Sequence, residues 1–274
     1  MTYDPTTVAA YFDALGQGEW ERFEQTLSDQ VSLALHTRAL ERFVAPGSRV
    51  LDIGAGPGRF TEVLHRLGCR IVVADLSGEQ LAWNRKIADS RGFAQSVESW
   101  QQLDICQLDG LEDSSFDAVV AFGGPLSYVF DQRDVALAEC RRVLRPGGVL
   151  LLSVMSLWGS LRRHLDSVLG LPLEANRQII ATGDLTQAGD PDSTHHCHMF
   201  RADELRAFLD RPGLELAWMS AAGSLATLHP ASLAEDPERW DALLEFEEAA
   251  CSADGMLDAG THLIAIAHHV RDSA

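Results

Sequence analysis

The stretch VLDIGAGPGRF, from Val50 to Phe60, runs an apolar strand straight into a glycine-rich turn. Gly54 and Gly56 let the backbone turn tightly, and the turn opens a helix whose apolar face carries Phe60, Val63, Leu64 and Leu67 before Gly68 closes it. Unpaired amides at such a helix start, beside bare α-carbons, can cradle a polar ligand. The pattern continues outward. Short apolar runs at Arg70 to Asp75 and Phe116 to Phe122 read as buried strands, Val97 to Ile105 reads as a strand with its end at Asp104, and Glu79 to Ala88 reads as a helix. Asp131 can cap a further helix through Leu144, which Pro146-Gly147-Gly148 breaks before the strand Val149 to Val154. This alternation predicts a doubly wound, mostly parallel sheet with helices on both faces. Ligands of such sheets bind beyond the carboxyl ends of the strands.

On either side the pattern changes. The first 45 residues are helical by spacing, with Val8, Tyr11 and Phe12, then Phe23, Leu27, Val31 and Leu35 recurring at three and four residues, and Ala45-Pro46-Gly47 ends them. Beyond Met155 a helix at Ser160 to Leu169 precedes a polar stretch rich in Gly, Asp, Thr and Pro, too long for a simple connection. Regular structure returns with a helix at Ala202 to Leu209, a strand at Leu214 to Met219, a helix at Asp236 to Cys251 and a last strand at His262 to Ala267.

The 274 residues carry a formal charge of -18, and Lys86 is the only lysine. A field of that sign repels polyanions unless a basic stripe overrides it, and the scattered arginines supply none, so nucleic acid is not expected as a partner. No apolar stretch approaches the ~18 residues that span a bilayer, and the N-terminus lacks a basic region followed by an apolar run. No membrane association and a cytoplasmic location are expected. Cys69, Cys106, Cys140, Cys197 and Cys251 show no close CxxC spacing and read as reduced thiols.

Two ligand classes compete for the glycine turn. A dinucleotide pyrophosphate prefers G-x-G-x-x-G, whereas Gly54, Gly56 and Gly58 form G-x-G-x-G, with Arg59 at the third dinucleotide position. Asp52, just before the turn, suits an amino-acid ammonium group better than a pyrophosphate. Asp75, about 20 residues on, can accept both hydroxyls of a ribose. Asp104 can accept from an adenine amino group, with the Ile105 amide facing a ring nitrogen. The combination fits adenosine joined to an amino acid.

With these residues in place the chain resembles the class I S-adenosylmethionine-dependent methyltransferases of small-molecule type. VLDIGAGPGRF, VVADLS with Asp75, LDI with Asp104, FDAVVAFGGPLSYV and LRPGGVLLLSV follow in the family's order over roughly 48–155. The resemblance implies a Rossmann-like, doubly wound, seven-stranded sheet, to which the later helix and strand pairs add the sixth and seventh strands. It divides the chain into a helical N-terminal lid (1–45), a cofactor-binding core (46–155 and 201–274) and a substrate lid inserted after strand five (156–200). It also implies that Asp52, Gly54, Ala55, Gly56, Gly58 and Arg59 surround the amino-acid part of S-adenosylmethionine. Asp75 and Leu76 would hold the ribose, Asp104 and Ile105 the adenine, and Phe122, Gly123 and Gly124 would lie near the sulfonium.

The expected chemistry is transfer of a methyl group to an oxygen or nitrogen of a small-molecule acceptor by in-line displacement, leaving S-adenosylhomocysteine. The alternatives are a cofactor-binding partner subunit, a non-methylating relative of the same fold, or an NAD-dependent oxidoreductase. A sulfonium activates its methyl group, so the protein has to align the nucleophile and exclude water. Only a protonated nucleophile needs a base. Candidates are His198, His196 and His195 in THHCHMF, with His164, Tyr11 and Tyr128 behind them; His198, His196 and Tyr11 are the catalytic candidates carried forward. On an extended chain His196 and His198 face one way and His195 and Cys197 the other, so too few ligands converge for zinc and no metal is expected. Glu245 and Glu248 read as a solvated helix face or as partners of a cationic amine. Glu19, Glu21, Arg22 and His36 are further N-terminal candidates for contact with cofactor or substrate.

Overall fold

The computed structural model describes residues 1–187 and 195–270. Its strands are β1 (Arg49–Ile53), β2 (Arg70–Asp75), β3 (Val97–Gln102), β4 (Phe116–Ala121), β5 (Leu144–Met155), β6 (Asp184–Leu185), β7 (Cys197–His198), β8 (Leu214–Ala221) and β9 (His262–His269). Seven of them form one sheet in the order β3-β2-β1-β4-β5-β9-β8, and β6 and β7 pair in a separate small hairpin. The pairs from β3 to β5 are parallel, while β9 runs antiparallel between β5 and β8.

The apolar strands bury both faces, which is why they show no polar alternation. Leu51, Val119, Leu150 and Leu152 pack into the core on one side, with Leu137, Val143 and Leu205. Val50, Val73, Val120, Leu151 and Ile264 pack on the other, with Leu35, Leu40, Val63 and Leu244. The sheet order reverses direction between β1 and β4, so the loops after these strands diverge and leave a crevice at their carboxyl ends.

Several helix ends differ from the sequence expectation. Asp131 does not cap the helix Arg133–Val143; it lies in the turn Phe130–Gln132, and its carboxylate accepts from the Tyr3 amide at 2.7 Å. The turn supplies the helix start, leaving Asp131 for a tertiary contact. The expected helix at Ser160 to Leu169 is two helices, Leu157–Arg163 and Leu165–Leu169, and a third follows at Leu173–Thr182 between Pro172 and Gly183. Part of the polar stretch, 188–194, lies outside the described residues.

The N-terminal segment consists of the helix Pro5–Leu15, a short helical run over Gly18–Glu24 and the long helix Leu27–Phe43. It is joined to later elements by specific polar contacts. The Arg163 guanidinium donates to both carboxylate oxygens of Asp29 at 2.8 and 3.0 Å. In the helix Pro237–Cys251 it is Glu247, between the two glutamates singled out from sequence, that is fully buried. Its carboxylate accepts from the amides of Ser224, Leu225 and Ala226 at 2.7–2.9 Å and fixes the loop after β8. Glu245 and Glu248 are exposed, and Glu248 pairs with Arg38 at 2.5 Å. Among the described residues no helix is long and apolar enough to cross a membrane.

Candidate active site

The crevice at the carboxyl ends of β1, β2 and β4 opens into a cavity of about 800 Å³, counting its open mouth. After β1 the chain turns through Gly54 at φ +68° and Gly56 at φ +53°, values that side-chain-bearing residues rarely adopt. A Cβ at Gly54 would sit 2.5 Å from Pro125 Cγ, so the turn can pass under the loop after β4 only as glycine. Gly54, Ala55, Gly56 and Arg59 all line the cavity. Gly58 instead starts the helix Arg59–Arg66 in a left-handed conformation, against the side chain of Asn84.

Asp75 ends β2 at the cavity wall, 7% exposed. Its Oδ2 accepts from the Gly56 amide and its Oδ1 from the Ser77 amide, each at 2.8 Å, which fixes the carboxylate. Burial pushes its pKa up to about 6 against those two hydrogen bonds. Leu76, Leu103, Asp104 and Ile105 continue the wall. Asp104 accepts from the Cys106 amide at 2.8 Å and from the Tyr3 hydroxyl at 3.0 Å. Phe122 and Gly123 line the side below β4, whereas Gly124 starts the one-turn helix Pro125–Tyr128 and is not part of the lining.

Asp52 does not line this cavity. Its side chain lies beneath the turn, 1% exposed, and accepts from the Thr61 hydroxyl at 2.7 Å. Burial pushes its pKa up to about 7, which Thr61 offsets in part. Asn84 extends the network, donating to Gly56 O at 3.0 Å and to Thr61 at 3.3 Å and accepting from Trp100 Nε1 at 3.0 Å. Strand periodicity explains the turn-away: Asp52 faces the helix packed on β1 while its neighbours Leu51 and Ile53 face the other core.

The N-terminal segment forms the outer wall through Tyr3, Val8, Phe12, Glu19, Arg22 and Phe23. Arg59 turns its guanidinium away from the glycine turn to hold this wall. It donates to Trp20 O at 2.7 and 2.9 Å, pairs with Glu24 at 2.5 Å and lies 3.9 Å from the Trp20 ring centroid. Gln80 donates to Phe12 O and Gly16 O, and Ser77 donates to Asp13. Arg22 pairs with Glu19 at 2.6 Å and lies over Gly123, 3.9 Å from where a Cβ would stand. Tyr3, Asp13 and Gln80 were not found from sequence, because a contact between the first residues and a strand end leaves no local pattern.

The three catalytic candidates separate. His198, on β7, is buried between two carboxylates, with Nδ1 2.7 Å from Asp184 and Nε2 2.8 Å from Glu204, and lines neither this cavity nor its neighbour. Burial alone would lower its pKa, but the two hydrogen bonds outweigh that and raise it. It ties the hairpin to the helix Ala202–Leu209 and is removed from the candidate bases. Tyr11 and His196 line a second cavity of about 700 Å³. Both ring nitrogens of His196 are buried and have no hydrogen-bond partner among the described residues. Tyr128 lines both cavities, and His195 lies behind it. His36 is buried against Phe60 and Phe122, and burial lowers its pKa to about 4.

Residues 51–152 match a family model described as a methyltransferase domain. Over this stretch the chain carries an S-adenosylmethionine-dependent methyltransferase domain. Over 136 residues it is 36% identical to a ubiquinone/menaquinone biosynthesis C-methyltransferase of Hahella chejuensis, covering 46% of this chain and 52% of that protein. Over 116 residues it is 34% identical to a ubiquinone biosynthesis O-methyltransferase of Xanthomonas campestris pv. campestris, covering 42% and 46%. The chain thus spans about half the length of these relatives. The methyltransferase fold extends further in space. A Burkholderia thailandensis 1,6-didemethyltoxoflavin-N1-methyltransferase, solved with S-adenosylhomocysteine bound, superposes with a TM-score of 0.56 at 17% identity, over 97% of this chain and 88% of that one.

Proposed function

We propose that this protein methylates an oxygen or nitrogen of a small molecule, with S-adenosylmethionine held in the larger cavity. The observation that carries the reading is the distribution of charge and backbone around that cavity. Glu19, Asp75 and Asp104 line it against Arg22 and Arg59, and both guanidiniums are already paired, with Glu19 and Glu24. An ammonium, a sulfonium and a ribose suit such a wall, and a pyrophosphate does not. The cradle also fits. At Gly56 and Gly123 the missing side chains leave space against Glu19 and Arg22 that a Cβ would enter.

In this reading Asp75 accepts from the ribose hydroxyls with the oxygen lone pairs that Gly56 and Ser77 leave open. Asp104 and Ile105 face the adenine, with Tyr3 closing that end. Arg22, with N–H groups beyond those on Glu19, faces the carboxylate of the amino-acid part above the bare α-carbons of the glycine turn. The bound cofactor supplies an activated methyl group. The chain's part is to orient the acceptor and keep water out, and the N-terminal wall together with 156–187 and 195–200 serves as the cover.

Isothermal titration with S-adenosylhomocysteine and with NAD tests the reading. Binding of the first and not the second is expected. Asp75→Ala should weaken it by about 10- to 100-fold, the worth of one charge-assisted hydrogen bond. The affinity of the native protein should also fall as pH drops through 6, where Asp75 takes up its proton. Binding of NAD alone would overturn the reading.

A further inference from the structure

Tyr128 stands between the two cavities, and Val8 is the other residue common to both walls. It ends the one-turn helix that follows Gly123 and Gly124, next to the stretch assigned to the reacting end of the cofactor. Its hydroxyl lies 2.9 Å from Nε2 of His195. The His195 ring stacks on Tyr11 with centroids 5.1 Å apart, and Phe12 meets Tyr128 edge to face at 5.1 Å. These rings give the junction a flat wall in which the Tyr128 hydroxyl is backed by one imidazole.

We propose that Tyr128 and His195 form a proton relay for an acceptor that is a small, flat, neutral phenol, with Tyr128 touching the reacting hydroxyl and His195 positioned behind it to receive the proton. The proposal rests on the methyltransferase reading above. Flat rings suit stacking against Tyr11, Phe12 and His195, and a phenolic hydroxyl must lose its proton as it is methylated. The acceptor oxygen forms the new bond to carbon, its proton passes to Tyr128 Oη, and the Tyr128 proton passes to His195 Nε2. The electron pair of the broken carbon–sulfur bond leaves on sulfur.

The electrostatics suit these roles. Burial pushes the Tyr128 hydroxyl well above its ordinary pKa, so it keeps its own proton until it can hand it on. Burial, with His196, His164 and Arg22 nearby, holds His195 down to about 4, so it is neutral with a lone pair to offer. Among the described residues the charged and titratable groups facing the pair include Tyr11, Arg22, His164, His196, His262, Glu19 and Cys197. A weak base suffices, because a phenolic oxygen that has gained carbon while still protonated is a far stronger acid than an imidazolium.

The test uses the full chain, catechol and hydroquinone as acceptors, and Tyr128→Phe and His195→Gln as variants. Native protein should release S-adenosylhomocysteine from S-adenosylmethionine with a probe. Each variant should lose about 100-fold in kcat while its KM for the probe and its calorimetric affinity for S-adenosylhomocysteine stay within about threefold. At saturating cofactor, native kcat should hold as pH falls to 6 and not follow the ~6.5 of an open imidazole. In protein labelled with 15N at histidine, Tyr128→Phe should move the His195 ring signals before any acceptor is added. Unmoved signals, variants as fast as native protein, or no turnover of either probe by protein that binds S-adenosylhomocysteine would each overturn the relay and leave the cofactor reading standing. Native protein that fails to bind S-adenosylhomocysteine would remove both.

Discussion

Asp52 and Asp75 lie at the carboxyl ends of neighbouring strands, yet one points under the glycine turn to Thr61 and the other into the cavity. Both are lifted by burial, to about 7 and about 6, but only Asp75 is placed to meet a ligand. Asp52→Asn should therefore change the calorimetric affinity for S-adenosylhomocysteine by less than about threefold, since an amide oxygen can still accept from Thr61 and no ligand contact is lost. A tenfold loss would put Asp52 back among the ligand-binding groups. At this scale the sequence located carboxylates at strand ends well, because register fixes where a strand ends. It could not give side-chain direction at Asp52, nor foresee that Asp184 and Glu204 would enclose His198, because those partners lie 14 and 6 residues away along the chain.

At the scale of elements, the wall built by residues 1–45 depends on polar contacts with the glycine turn and its helix, and Arg59 makes several of them. Removing that guanidinium leaves the Trp20 carbonyl and the Glu24 carboxylate without their partner. For Arg59→Ala, proteolytic cleavage within 1–45 should be about tenfold faster, the effect of losing ~1.4 kcal/mol of local stability, while the melting of the sheet moves little. Cleavage at the native rate would show that apolar packing by Phe12 and Phe23 holds the wall unaided. Most of the strands and the N-terminal helices were legible from periodicity and breakers. The helix Leu173–Thr182 was missed although Pro172 and Gly183 bound it, because it adjoins a stretch rich in Gly, Asp, Thr and Pro that reads as one long connection. The break at His164 also left no signal, since it arises where two short helices meet.

For the whole molecule, buried groups of opposite kind set how stability varies with pH. Burial holds His36 and His195 at about 4 and pushes His262 well below its ordinary value, so between pH 4 and 6.5 the unfolded chain binds protons there that the folded chain refuses. Stability rises with pH over that window on their account. Asp52 and Asp75 act in reverse, because the folded chain keeps protons that the unfolded chain has lost above 3.8. Burial lowers His164 and raises Asp258 in the same senses, so four histidines stand against three carboxylates and stability rises with pH from about 4.5 to 6. Above 6.5 the rise ends. Asp52 opposes folding up to about 7, His198 loses the stability its raised pKa conferred, and a formal charge of -18 adds self-repulsion. Chemical denaturation across pH should therefore show a maximum near 6.5, and Asp52→Asn, which removes one opposing proton, should steepen the rise on the acid side. A native curve that climbs steadily to pH 8, or a slope that the substitution leaves unchanged, would mean that these groups titrate as they do in the unfolded chain.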